Sequence, residues 1–373
     1  MTFWCEITDI DDNKLANFQP IKQSYSLRLN GNTQAMIVAS SITTSSGTGE
    51  SKLAEYIDNG ALDEWRRVYL YYQFPDEKRL LFHGWTIRPS DSPIMSELNC
   101  VGFLQYADMK IITNTITYTG TNIGTILSAE WGKISTRYRT NIEIETNTTA
   151  RMTGEYTIQK GQSFGSVLRE LLGFGIEFEY RLKMVDGKRV GVLYVDNTVG
   201  GNFDVPEGVT LKFKYSDQYA SNIDPTQNVQ RLGGEKSNFV YARGKTTTSI
   251  KQDIIAGEEE IGHTLSLRNE DGASLATKAQ EYLDQHKSPD VVFEVELNKV
   301  DFKVGDFKPG DNVPIFVDIQ NPRLNVDDNY RIVETGVSVG SDYIDTLKVG
   351  KKPLSVVGFE NVINRIKKLE IES

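Results

Sequence analysis

The chain is poor in the residues that most often carry chemistry. Three histidines and two cysteines are spread over 373 residues. So few soft ligands exclude a zinc ribbon, and any imidazole mechanism must draw on His83, His263 or His286. Cys5 and Cys100 cannot build a disulfide framework; they read as two reduced, buried thiols, with one bridge as the alternative. Basic charge is short as well. The 41 Lys and Arg stand against 51 Asp and Glu, a formal charge of −10. That argues against a protein that grips nucleic acid through its phosphates, because it has no surplus cations to release counterions. No window approaches eighteen consecutive apolar residues, so no membrane-spanning helix is expected. The opening residues, Met1 to Ile7, lack the basic head and apolar run of a secretory signal. The expectation is a soluble chain made in a cytoplasm.

What is plentiful is aromatic and glycine: 17 Tyr, 16 Phe, 4 Trp and 31 Gly, with only 6 Met. Together with 39% hydrophobic and 25% charged residues, this is a globular mixture leaning to β-structure. The length allows about two or three domains. The first hundred residues read as a β-meander. Tyr25, Leu27 and Leu29 alternate before an Asn30-Gly31-Asn32 turn, and strands follow through Val68–Phe74 and Leu80–Ile87. A further strand carries Met95, Leu98, Cys100 and Phe103. Then the texture changes. Ile123, Ile126, Leu127 and Trp131 have helical spacing, as do Phe164, Val167, Leu168, Leu171 and Leu172 after a Ser163 N-cap. A hairpin is expected over 176–195 with its turn at Asp186-Gly187, and a helix over 271–286. Strand-like segments recur at 211–215, 239–241, 291–297, 313–317, 330–339 and 343–349.

Candidate chemistry is thin. Gly161-Gln162-Ser163-Phe164-Gly165 matches the G-x-S-x-G nucleophile elbow, which would make Ser163 a hydrolase nucleophile. The strand before it alternates polar and apolar residues, however, and no βαβ series surrounds it, so Ser163 reads better as a helix cap. Asp9, Asp11 and Asp12, and the Asp327-Asp328-Asn329 triplet, fall where hairpin turns are expected and miss the EF-hand spacing. No catalytic, metal-binding or ligand-binding residue is assigned, and no cofactor is called for. Residues 156–172 are similar to the start of a LysM peptidoglycan-binding repeat, although the following hairpin breaks that pattern. A carbohydrate or cell-wall binding β-module is therefore an alternative, with Trp65, Trp85 and Trp131 as stacking platforms.

The order of segments resembles one family. Residues 80–109, with their Cys-Val-Gly-Phe-Leu-Gln-Tyr passage, the Tyr156–Tyr180 strand, helix and strand, Asn238–Gly244, Asp306–Val317 and Arg331–Gly350 resemble the baseplate hub proteins of tailed bacteriophages. Where that family often has an acidic residue, this chain has Val101. The resemblance implies a β-rich α+β chain with two small tube-type β-barrels and α+β insertion domains, built from discontinuous segments. It places the first barrel at 1–108, an insertion at 109–206, the second barrel at 207–245 and 291–350, and a helix-containing insertion at 246–290. A C-terminal helix would occupy 351–373. There Phe359, Val362, Ile366 and Leu369 form a short heptad seam, either a trimer contact or a face docked on the chain's own barrel. The implied function is a homotrimeric, non-enzymatic virion protein of the tail tip or baseplate, made in the host bacterial cytoplasm. Its implied partners are a distal tail or tail tube protein, a spike or fibre protein and the tape measure protein. DNA would pass through during ejection without specific binding.

Overall fold

The computed structural model describes residues 2–41, 52–92, 94–152, 154–200, 211–214, 221–225, 237–254, 260, 262–267, 272–286, 293–297, 302–303, 305–318, 325–339 and 343–350. Seven strands come first: β1 (Thr2–Thr8), β2 (Lys14–Phe18), β3 (Lys22–Arg28), β4 (Gln34–Ser40), β5 (Arg67–Gln73), β6 (Lys78–Asp91) and β7 (Met95–Val101). A short helix, α1 (Leu53–Asp58), stands between β4 and β5. The strands pair antiparallel in the order β2-β1-β5-β6-β7-β4-β3. Alternate side chains along them, among them Cys5, Ile7, Ile37, Leu70, Phe82 and Leu98, fill one apolar core with Leu53 and Tyr56 of α1. The Asp9 carboxylate accepts the backbone N–H groups of Asp11 and Asn13, each at 2.9 Å, so the first acidic cluster closes the β1–β2 turn as its composition suggests. Both cysteines are buried and unbridged.

Phe103, expected in a strand, opens helix α2 (Phe103–Asp108). Phe103, Leu104, Tyr106 and Ala107 are all buried, the i, i+1, i+3, i+4 face of a helix, and a strand would have turned half of them to solvent. They join the second core, shared with the segment that follows. That segment comprises β8 (Ile116–Thr119), α3 (Ile123–Tyr138), β9 (Ile142–Thr146), β10 (Glu155–Ile158), α4 (Phe164–Leu172), β11 (Glu177–Val185) and β12 (Lys188–Asp196). Strand β8 pairs β10; β11 and β12 form the expected hairpin, and β9 runs parallel to β12. Asn122 caps α3 by accepting the Thr125 N–H at 3.2 Å, and Ile123, Ile126, Leu127, Trp131 and Ile134 face inward.

Next come β13 (Leu211–Lys214), β14 (Ile223–Pro225), β15 (Phe239–Arg243), β16 (Thr248–Gln252), β17 (Gly262–Ser266) and α5 (Gly272–His286). The last described strands are β18 (Phe293–Leu297), β19 (Asn312–Asp318), β20 (Asn325–Val339) and β21 (Tyr343–Gly350). Strand β20 pairs β3, β19 and β21, while β19 pairs β13; with β14 and β18 they complete a 13-stranded sheet. The triplet 327–329, expected in a turn, belongs to β20, where the register sets Asp328 opposite Ile315. The seam between the two halves of this sheet is β3–β20. There the Glu334 carboxylate accepts from Arg28 at 2.8 Å and from Ser26 at 2.7 Å. Burial alone would raise the Glu334 carboxyl, but Arg28, Ser26 and Lys348 outweigh it and hold it below its ordinary value.

The chain divides into two compact units, one from 1–224 and 295–349 and one from 225–294. In the second, β15 lies between β16 and β17, and Val240 and Ala242 pack on Leu275, Ala279 and Leu283 of α5. Strand 239–243, read from the sequence as re-entering the second barrel, thus pairs within this separate sheet instead. Its burial alternates, with Val240 and Ala242 inward, and its apolar run identifies a strand but not the partner it chooses.

Candidate functional site

Ser163 sits where the elbow-like pattern placed it, between β10 and α4, and every residue of that pattern has a local structural reason. Gly161 has φ of +91°, a left-handed turn position. The Ser163 hydroxyl accepts the Ser166 N–H at 3.1 Å and caps α4. A Cβ on Gly165 would lie 2.2 Å from an Asp108 carboxylate oxygen, so only glycine lets the end of α2 approach this turn. The Asp108 carboxylate accepts the Ser163 hydroxyl at 3.5 Å, a long contact, and receives two much shorter guanidinium bonds from Arg169 at 2.6 and 2.5 Å. Among the described residues no imidazole hydrogen-bonds Ser163. His83 lies on β6 with its ring 4.8 Å from that of Tyr180, and His263 stacks on Tyr282. Burial, with Arg67 adding to it, lowers His83 to about 4, so its ring is neutral at physiological pH. Ser163→Ala is expected to lower stability by about 1 kcal/mol through the lost cap. Fluorophosphonate labelling should be nil before and after the change; adduct formation at Ser163 in the wild-type protein would restore the hydrolase reading.

The stacking-platform reading finds little support in the indoles. Trp85 and Trp131 are buried, and the Trp131 indole N–H donates to the Ile142 carbonyl at 2.9 Å. Trp65 is half-buried, its ring 6.3 Å from that of Tyr106. In the LysM-like stretch, β10 pairs with β8, upstream of it, rather than with a strand following the helix. No group of three or more His, Cys, Asp or Glu among the described residues is placed to hold a metal ion. Phe359, Val362, Ile366 and Leu369 lie outside the described residues.

A cavity of about 610 Å³ opens beside β3, β6 and the β11 strand, bounded by Leu27, Phe82, Phe103, Tyr180, Phe307 and Asp311. The His83 Nδ1 is buried there without a hydrogen-bond partner. Next to the cavity is a buried ion pair with several backbone bonds, which the sequence does not announce. Arg331 of β20 reaches Glu177 of β11 with two bonds of 2.5 Å, and its Nε donates to the Gly310 carbonyl at 3.0 Å. A third contact runs from Arg331 to the Val199 carbonyl, while Glu177 accepts the Val199 N–H at 2.8 Å. Nothing in this arrangement is a catalytic constellation; it fastens parts of the chain 154 residues apart.

No family model matches the chain, and no curated protein matches it. Its fold, in contrast, has solved counterparts over nearly its whole length. The 43 kDa tail protein of prophage MuSo2 from Shewanella oneidensis superposes with a TM-score of 0.58 at 10% identity, covering 94% of this chain and 97% of that one. Prophage tail protein gp18 from Listeria monocytogenes gives 0.55 at 12% identity, covering 99% and 100%. The E. coli c3393 protein gives 0.50 at 11% identity, covering 94% and 80%; it is described as a component of the type VI secretion system with structural similarity to T4 tail proteins gp27 and gp5. The chain therefore has the fold of phage tail proteins, as the resemblance in its sequence implies.

Proposed function

We propose that the chain is a structural hub of a phage tail tip or baseplate, a homotrimeric adaptor between a hexameric tail tube and a spike or fibre assembly. The observation that carries this reading is the coverage: 94% and 99% of the chain align with tail proteins that are themselves covered to 97% and 100%. Sharing one architecture end to end argues for a shared assembly role more than a shared local motif would. In this reading strands β1–β7 supply one tube-forming barrel and β13 with β18–β21 supply a second. The insertions at 109–206 and 246–290 would decorate the ring they form. Three chains with two barrels each would meet sixfold symmetry above and threefold symmetry below. The C-terminal seam of Phe359, Val362, Ile366 and Leu369 would bundle on the threefold axis. The bore would carry the tape measure protein and then DNA, and a chain of −10 suits a conduit that repels phosphates.

Cryo-electron microscopy of tails from the phage that encodes the chain tests the reading. Three copies at the tip are expected. Tails that lack the chain, or hold it in any other copy number, overturn it.

A further inference from the structure

Exposed apolar side chains occur at several places on the larger unit, Met184 and Val185 at the end of the β11–β12 hairpin among them, and at two of these places the charges alongside have opposite signs and no ion-pair partner among the described residues. At the first place Met109, Ile111 and Tyr138 are 50%, 38% and 41% exposed. Arg137, at the end of α3, donates to the Ile111 carbonyl and so ties these segments together, with its guanidinium 4.4 Å from the Tyr138 ring centre. The Lys110 ammonium stands 4.0 Å from the Tyr106 ring centre and 5.0 Å from that of Tyr138. Among the described residues neither Lys110 nor Arg137 has a carboxylate partner, in a chain where acids outnumber bases 51 to 41. Lys110 is half-buried, and burial holds it below its ordinary pKa.

The second place is the turn of the β6–β7 hairpin. Ile94 is 61% exposed and Met95 43%, between the exposed carboxylates of Asp91 and Glu97. Neither acid makes an ion pair among the described residues. The tip is held in shape by its own bonds: the Ser92 N–H to the Met95 carbonyl at 2.7 Å, and the Met95 N–H to the Ser92 hydroxyl at 3.1 Å. Strand β7 leads away from this tip for about 20 Å before α2 begins, so the two patches are separate surfaces of one chain.

We infer that these surfaces are two halves of one contact between copies of the chain. Ile94 and Met95 of one copy pack against Met109, Ile111 and Tyr138 of the next, and Asp91 and Glu97 face Lys110 and Arg137. A contact joining two different patches is head-to-tail, and such contacts close into rings when the rotation allows. The pairing brings cations that have no carboxylate among the described residues to carboxylates that have no cation there, Asp91 being held within its own chain by the Ser96 hydroxyl, around an apolar centre, the arrangement that gives interfaces their register. The inference rests on the trimeric hub reading and adds the residues that join one copy to the next.

The test is made in assembled tails. With Ile94→Cys and Tyr138→Cys in one chain, mild oxidation should link copies into a ladder ending at three, and neither single variant should do so. Lys110→Glu with Arg137→Glu should lower the yield of complete tails at least tenfold. Adding Asp91→Lys and Glu97→Lys should restore it to within about twofold, a rescue that misfolding cannot produce. Tails holding three copies with neither cross-link nor rescue overturn the contact and leave the hub reading standing. Tails holding another copy number overturn both.

Discussion

Replacing Glu177 by alanine is expected to lower stability by about 3–5 kcal/mol, the cost of breaking a buried ion pair by removing one partner. The Arg331 and Glu177 side chains are only 10% and 8% exposed. Without the carboxylate, the guanidinium keeps two backbone carbonyls, Gly310 and Val199, but carries a buried charge with no counter-ion. The Val199 N–H loses its acceptor at the same time. The backbones of Gly200 and Gly310 touch here: a Cβ on Gly200 would fall 2.5 Å from the Gly310 carbonyl. Glu177→Gln should cost less, since an amide still accepts. The double variant Glu177→Met with Arg331→Met should cost well under the sum of the two single changes, because it leaves no orphaned charge. Urea unfolding checks all of these. A Glu177→Ala variant within about 1 kcal/mol of wild type would show that the pair is hydrated in solution and does not fasten β11 to β20.

Why that pair escapes a reading of the sequence is instructive. Glu177 begins a strand that alternates convincingly, and its position on the pleat is legible, but nothing local says that the partner lies 154 residues downstream. Local features fared better. The Ser163 cap, the helices at 123 and 164, the Asp186-Gly187 hairpin and the helix at 272 are set by short-range periodicity and turn chemistry, and they stand where the residues place them. Misreadings arose where tertiary contacts choose between two locally acceptable states. Phe103 continues an apolar run that suits a strand, yet its neighbours Leu104, Tyr106 and Ala107 all find core partners only in a helix. Strand 239–243 has strand character in any setting, and its pairing with β16 and β17 is decided by α5, more than thirty residues on. The candidate contact surfaces were likewise invisible, because exposure of Ile94 or Tyr138 is a property of the fold and not of the residue.

The same junction gives a pH dependence whose sign can be worked out. Asp311 closes the turn 308–311, accepting the Lys308 N–H at 2.9 Å. Burial pushes its carboxyl up to about 6, against the opposing pull of the Lys308 N–H and of the Lys308 and Arg331 charges, with Glu179 adding to the rise. In the unfolded chain the group titrates near its ordinary value of about 3.9. The folded state therefore holds the proton more tightly. Its contribution to stability is complete below about pH 4 and is lost as pH rises through about 6. Two units correspond to almost 3 kcal/mol, and partial solvent access brings the expected loss to about 2 kcal/mol. Asp311→Asn keeps an acceptor for the Lys308 N–H and cannot ionise. Its stability relative to wild type should accordingly climb by about 2 kcal/mol between pH 4 and pH 7 and stay level above that. Urea midpoints collected across this window for both proteins supply the difference, in which the other titrating groups cancel. Parallel curves would mean that Asp311 ionises freely in the folded protein. Arg331→Met removes one of the charges that favour the ionised form, so in that background the climb should be larger and should end at a higher pH.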